Sequence, residues 1–294
     1  MSGVIGMTEL LLETELDEEQ SELASIVKRS ASSLLTVIND ILDFSKIEAG
    51  KLELCPMRFS LPELITDIEG INSVSFDRKY LTFVAELANS VPEWIIGDQD
   101  RLRQVLTNLI SNACKFTPKG GGIILKVDRE ALHDSEIVLQ FSVVDTGIGI
   151  PESKQQQIFD AFSQAEIDTA KNYGGTGLGL TICRRLVALM GGELGLISEE
   201  GMGSVFHFTA KFGLVPAVDM LVSTKSGEHG IETSLPPLRI LVAEDNPVNQ
   251  KLAKRLLEKA GHQVVTANNG EEAVKLFEQE AVDLIPVSYT HLTL

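Results

Sequence analysis

One long apolar stripe near the N-terminus limits the fold more than any other feature. Leu23, Ile26, Val27, Leu34, Val37, Ile38, Ile41 and Leu42 recur at spacings of three and four, which puts them on one face of an α-helix. The opposite face carries Glu22, Lys28, Arg29, Asn39, Asp43 and Lys46. Residues 17–53 therefore read as one amphipathic helix, with residues 3–14 as a shorter arm folded back on it. The short arm cannot cover the long one. The stripe then needs a second surface: either another copy of the hairpin, in a dimeric four-helix bundle built on residues 1–55, or the rest of its own domain.

The pattern then changes twice. Residues 56–213 mix a strong helix at 98–116, with Leu102, Val105, Leu106, Leu109, Ile110 and Ala113 on one face, with β-rich stretches at 81–87, 122–127, 137–144 and 204–212 and a second helix at 179–190. Helices interspersed with antiparallel strands predict an α+β two-layer sandwich. Residues 214–237 have few periodic apolar positions and contain Ser226-Gly227-Glu228 and Pro236-Pro237, so they read as a linker. From residue 238, strand and helix alternate up to about residue 285, the start of a parallel, flavodoxin-like α/β sheet that stops after roughly half a domain. A chain of 294 residues accommodates this multi-domain plan.

Charge narrows the partners. Lys plus Arg number 25 and Asp plus Glu 42, a net charge of −17, which argues against binding nucleic acid or an anionic membrane surface. It leaves room for a small anionic ligand held by backbone amides. Cys55, Cys114 and Cys183 form no CxxC pair, as expected of a cytoplasmic protein without a disulfide framework. No apolar run reaches membrane-spanning length, and no basic leader follows Met1, so neither a transmembrane segment nor a signal peptide is expected in this stretch.

Three segments could carry chemistry. In NLISNACKF, Asn108, Asn112 and Lys115 share the helix face opposite the apolar stripe. Two amides and an ammonium could offer a carbonyl oxygen to Mg²⁺ and a charge to phosphate, or could simply be solvated. In DTGIGI, Asp145 ends an apolar strand, where it could accept from an exocyclic amine while Gly147 and Gly149 let backbone approach a flat ring. A plain turn is the alternative. In YGGTGLGL, Gly175, Gly177, Leu178 and Gly179 open a helix whose amides could hold phosphate, though such a loop alone is weak evidence. Between the last two lies IFDAFSQ, whose Phe159 and Phe162 read as core anchors for a mobile loop.

In this order the segments resemble the N, G1, F and G2 boxes of the histidine-kinase ATP-binding domain. GVIGMTELLL and NDILDFSKIEAGKLEL resemble the dimerisation and phosphoacceptor helices of hybrid sensor histidine kinases, and LRILVAEDNPVNQKLAKRLLEKAGHQVVTANNGEEAV resembles the start of a response-regulator receiver. The resemblance implies ATP and Mg²⁺ as ligands. Asp145 would take the adenine amine, with Gly147 and Gly149 lining the base and Thr209 close to it. Asn112 would ligate Mg²⁺ beside Asn108, with Lys115 near phosphate or ribose. Gly175, Gly177 and Gly179 would wrap the phosphates, and residues 160–176 would form a lid. Glu244 and Asp245 would be the receiver's metal-binding acidic pair. It further implies a homodimer through the hairpin and a response regulator or phosphotransfer protein as partner.

Relatives that hydrolyse ATP, the gyrase and chaperone types, carry Glu where Asn108 stands. An amide cannot act as that general base, so Asn108 favours phosphotransfer. The sequence departs from the family in two places. No H-E-x-R-T-P phosphoacceptor segment is present, and His133, His207, His229, His262 and His291 all lie in other contexts. Near Ser288, where the receiver's phosphorylatable Asp is expected, the chain reads PVSYTHLTL, so residues 286–294 are expected to be a non-native tail and Pro286 to interrupt the third strand. The expectation is an ATP-binding kinase core that does not label itself. A non-catalytic dimerising scaffold and a gyrase-like ATPase module are the alternatives.

Overall fold

The computed structural model describes residues 2–12, 14–133, 135–161, 177–215, 237–245, 247–279 and 282–286. The chain divides into two compact units, residues 38–227 and residues 1–37 with 228–294.

Helix α1 (Ser2–Leu12) and helix α2 (Glu18–Glu48) form the expected hairpin, α2 as one unbroken helix. In the first unit to be met along the chain, Leu10 and the small residues Ala24 and Ala31 are buried, and Lys28 pairs with Glu9 at 2.9 Å. Most of the predicted stripe is not covered: Leu23, Ile26, Val27, Leu34, Ile38, Ile41 and Leu42 are all exposed.

The larger unit continues with β1 (Met57–Ser60), α3 (Leu61–Lys79), β2 (Thr82–Leu87), β3 (Trp94–Gly97), α4 (Gln99–Phe116), β4 (Gly122–Leu132) and β5 (Glu136–Asp145). After the short α5 (Glu152–Gln155) and a 3-10 turn at Gln157–Phe159 come α6 (Gly179–Leu189), β6 (Leu194–Glu199) and β7 (Gly203–Leu214). The helix ends follow local chemistry. Ser60 accepts from the Glu63 amide and Asp98 from the Arg101 amide, each satisfying a donor that the helix start leaves over. Tyr80 closes α3 in the left-handed region at φ 53°.

The sheet runs β1-β3-β7-β5-β4-β2, with β6 also paired to β7. Burial alternates along β4, β5 and β7, so one face is buried. Against it lie the apolar faces of the helices: Leu102, Val105, Leu106, Leu109 and Ile110 of α4 and Leu186 and Val187 of α6 are fully buried with Leu125, Leu139, Phe141 and Phe208. Phe141 and Phe208 stack across β5 and β7 at 4.8 Å. This is the expected two-layer α+β sandwich, with one difference. The sheet is mixed, because β2 runs parallel to β4. The return passes through β3 and α4, the kind of crossover a parallel pair requires.

The end of α2 belongs to this unit. Phe44 and Ile47 pack on its core, Asp43 pairs with Arg101 at 3.0 Å and accepts from Gln104 at 2.9 Å, and Glu48 pairs with Arg185 at 2.7 Å.

In the other unit, β8 (Arg239–Ala243), α7 (Pro247–Lys259), β9 (Gln263–Ala267) and α8 (Gly270–Gln279) follow in order, with β8 and β9 parallel. The third strand expected at 282–285, before Pro286, shortens to an isolated bridge. Leu284 bridges Ile240 in parallel, the Leu241 amide donates to the Leu284 carbonyl at 3.0 Å, and the Ala243 amide donates to the Pro286 carbonyl at 3.4 Å. Proline lacks only the donor, and its carbonyl still accepts. The linker expected at 214–237 and the tail at 286–294 fall mostly outside the described residues.

Candidate nucleotide-binding site

Helix α4 is the spine of the site. Near its middle, Asn108 accepts from the Asn112 side-chain amide at 2.9 Å, as residues four apart on one helix face should. The Asn108 side chain lies against Gly179, the first residue of α6, and a Cβ there would collide with its amide. Cys183, one turn into α6, packs its Sγ 3.9 Å from the Val105 carbonyl. Leu178, at the cap position of α6, has no side chain able to cap, and the start of a helix has the positive character that attracts phosphate. Gly177 has φ +70° beside the buried Leu178. Gly175 and the lid segment from residue 162 to 176 lie outside the described residues.

At its far end, eight residues and roughly 12 Å further on, α4 meets the loop after β5. The Phe116 carbonyl accepts from the Ile148 amide at 3.3 Å, and a Cβ on Gly147 would stand 2.9 Å from that carbonyl. Asp145 is buried at the end of β5, and one carboxylate oxygen accepts from the Gly147 amide at 2.8 Å. Burial pushes its pKa above the usual carboxylate range, against the backbone amides of Gly147 and Ser204 that lower it. Gly149 is left-handed (φ +66°), and a Cβ there would strike the Glu199 carbonyl. The Ile150 amide donates to the Ser198 hydroxyl at 2.8 Å, and Gln155 donates to the carbonyls of Ile150 and Ser198. The loop is thus strapped to the β6–β7 turn from both sides. Lys115 has its ammonium 4.8 Å from the Phe116 ring, and burial lowers its pKa.

The structure therefore joins Asn108, Asn112 and Gly179 at one point of α4 and Asp145, Gly147 and Gly149 at its other end, with Lys115 beside the latter. It does not bring Thr209 there. Asp145 pairs in register with Ser204, whereas Thr209 lies opposite Gln140, five positions along β7 and roughly 17 Å away. The Thr209 hydroxyl instead accepts from the Glu193 amide at 3.2 Å. The period of two along β7 gives no register, and only the pairing with β5 does so. Sequence reasoning missed Ser198, Gln155 and Ser204; Gly201 and Gly203, flanking the turn, were the available signal.

Glu244 and Asp245 directly follow β8. Glu244 accepts from Asn249 at 3.2 Å, and Asp245 is exposed. Among the described residues no three His, Cys, Asp or Glu side chains gather as a metal cluster. Of the histidines, His262 accepts from the Leu238 amide at 3.3 Å and His207 packs against Gly195, and His229 and His291 lie outside the described residues. No described helix is long and apolar enough to cross a membrane.

The site thus sets a buried strand-end aspartate and a glycine loop at one end of a helix whose polar face meets a second helix at a glycine. Comparison with known proteins supplies the family. Residues 97–214 match the family model "Histidine kinase-, DNA gyrase B-, and HSP90-like ATPase", residues 1–50 "His Kinase A (phospho-acceptor) domain", and residues 240–287 "Response regulator receiver domain". The sensory/regulatory protein RpfC of Xanthomonas campestris pv. campestris is 36% identical over 309 residues, covering 98% of this chain and 42% of that protein. The sensor histidine kinase GacS of Pseudomonas protegens is 37% identical, covering 99% and 31%. The histidine-protein kinase BarA of Escherichia coli (strain K12) is 41% identical, covering 74% and 24%. Full-length ShkA, solved in complex with AMPPNP, superposes with a TM-score of 0.59 at 31% identity, covering 93% of this chain and 54% of that one.

The chain belongs to the hybrid sensor histidine kinase family, with successive regions that match its phosphoacceptor, ATPase-like and receiver models. It spans less than half the length of these three curated relatives.

Proposed function

We propose that residues 56–213 bind ATP with Mg²⁺ and pass the γ-phosphoryl group to a histidine presented by a helical hairpin, and that two chains pair through residues 1–55. The observation that carries the reading is the buried Asp145 carboxylate, held by the Gly147 amide on a loop tied to the same helix that carries Asn108 and Asn112. The residues fit the nucleotide. Asp145 offers an acceptor for an exocyclic amine, the missing Cβ atoms at Gly147 and Gly179 let the loop and α6 close against Asp145 and Asn108, and the start of α6 suits phosphate. The Asn112 nitrogen is committed to Asn108, so its carbonyl oxygen is the end a hard cation would take. When bound, Mg²⁺ would neutralise charge on the phosphates. Asn108 packs where a water-activating base would be needed and cannot accept a proton, which favours transfer to an imidazole with its own lone pair. Pairing is supported by the exposed Leu23, Val27, Leu34 and Ile41 on one face of α2.

Calorimetry with a non-hydrolysable ATP analogue, with and without Mg²⁺, tests binding. Radiolabelled ATP with a separate histidine-bearing hairpin tests transfer. The chain alone should not label itself, and acid-labile label on any of its own five histidines would contradict that.

A further inference from the structure

Lys79 is the last residue of α3, far in sequence from every segment with recognisable chemistry. The left-handed Tyr80 turns the chain directly after it. That turn aims the Lys79 ammonium at the C-terminal end of α4, where it donates to the carbonyls of Cys114 at 2.7 Å, Lys115 at 2.8 Å and Thr117 at 3.1 Å. Its own carbonyl accepts from the Gly120 amide at 3.0 Å, so backbone and side chain both hold the turn that follows α4. A cation at the carbonyl end of a helix meets the negative end of the dipole and the acceptors that no amide reaches.

The position of that helix end matters because of the carbonyl it leaves out. Phe116 lies between Lys115 and Thr117, and its carbonyl is the one that accepts from Ile148 and abuts Gly147. Resting on the nucleotide reading above, we infer that Lys79 is a positioning residue for the ATP site. It holds the neighbouring carbonyls of α4 so that the Phe116 carbonyl faces outward and seats the Asp145–Gly149 loop at a set distance from the Asn108–Asn112 pair. An ammonium suits this task because three donors on one atom can reach three converging carbonyls, which the planar guanidinium of Arg cannot.

The test compares Lys79→Met, Lys79→Arg and Leu64→Ala in the full chain. Leu64 is a fully buried residue of the same helix, so its variant is destabilised without touching the strut. Two quantities are read well below the melting temperature: affinity for a non-hydrolysable ATP analogue by calorimetry, and exchange of the Ile148 amide in the nucleotide-free protein. Lys79→Met should weaken the analogue about tenfold and speed Ile148 exchange, leaving the amides of residues 106–110 unchanged. Lys79→Arg should shift both in the same direction by less, and Leu64→Ala should shift neither selectively. Wild-type affinity and Ile148 exchange in Lys79→Met overturn the inference, as does equal weakening in Lys79→Met and Leu64→Ala. If Lys79→Met does not fold, a Lys79→Arg protein identical to wild type in both readouts overturns it. If wild type itself fails to bind the analogue, the nucleotide reading falls, and Ile148 exchange still decides whether Lys79 holds the loop.

Discussion

The acidic residues singled out in the sequence sit at the C-terminal sides of two strands, and the two places have different surroundings. Asp145 at the end of β5 is buried and accepts from the backbone of its own loop. Glu244 and Asp245, just after β8, are half-buried and exposed, respectively. The chemistry of the side chains is nearly the same, so the difference lies in what encloses them. β5 is flanked by β4 and β7, and the β6–β7 turn straps the following loop through Gly149, Gly201 and Ser198. Among the described residues, β8 is flanked by β9 and by a bridge at Leu284. A strand-end acid becomes a desolvated, selective acceptor only where neighbouring strands supply backbone to shut it in.

The sharpest way to break this enclosure is at a glycine. Gly149→Ala sets a side chain against the Glu199 carbonyl in a left-handed backbone. Overpacking alone costs roughly 1–3 kcal/mol, and the displaced loop should lose analogue binding by more than about a hundredfold. Gly261→Ala is the control from the other region. It is also left-handed, but open space surrounds it, so only backbone strain of about 1–2 kcal/mol is expected, with affinity unchanged. Equal loss of affinity in both would mean that the β6–β7 strap does not shape the site.

Next in size is the carboxylate itself. Asp145→Asn should weaken the nucleotide about tenfold to a hundredfold, the worth of a hydrogen bond to a charged group, while Asp245→Asn leaves it unchanged. The charged form is the acceptor, and burial raises the pKa of Asp145. Affinity should therefore start to fall, as pH is lowered, earlier than an ordinary carboxylate would allow, and binding in that window should release a proton. Calorimetry in two buffers of different ionisation enthalpy reads that release. Proton uptake, or a pH profile unchanged in Asp145→Asn, would contradict the assignment.

A smaller contrast is expected in resistance to protease. The core from Phe59 to Phe212 is continuous, whereas around β8 the buried cluster among described residues is Leu241, Ala243, Ala267 and Ala273, with Val274, Phe277 and Leu284 exposed. Residues 237–286 should be degraded at least about tenfold faster than residues 57–215 if their opening is about 1.4 kcal/mol easier. Mass spectrometry of a digest time course checks this, and equal survival would show that the small sheet is as stable as the large one.

The smallest effect concerns the end of α2. Glu48→Gln, removing an exposed partner of Arg185, should change stability by less than about 1 kcal/mol. Asp43→Asn should cost more, because Asp43 is half-buried and engages both Arg101 and Gln104. Thermal denaturation of the two variants ranks them.

Much of this is legible in the amino-acid sequence. The stripe on α2, the apolar face of α4 and the alternation along β5 and β7 each have a period that names its element. Asn108, Asn112 and Asp145 stood out because their spacing or strand-end position is local. Helix α3 and strands β1, β3 and β6 were not separately legible, being short or irregular in pattern. Thr209 was misplaced because alternation says which face a residue takes and not which neighbour it meets. Lys79 left no trace, because its partners lie thirty-five to thirty-eight residues away.

By itself, then, the sequence determined the period of each long element, the residue types at the strand and helix ends, and the exclusion of an acidic general base at Asn108. Those are properties of neighbours within a turn or two of chain, where spacing and geometry are the same thing. The tertiary structure alone decided that Ser204 faces Asp145, that Gly149 lies under the Glu199 carbonyl, and that an ammonium from α3 closes the end of α4. Each of these joins segments distant in the chain, and it exists only because burying the α4 face against the sheet brings those backbones within hydrogen-bonding range.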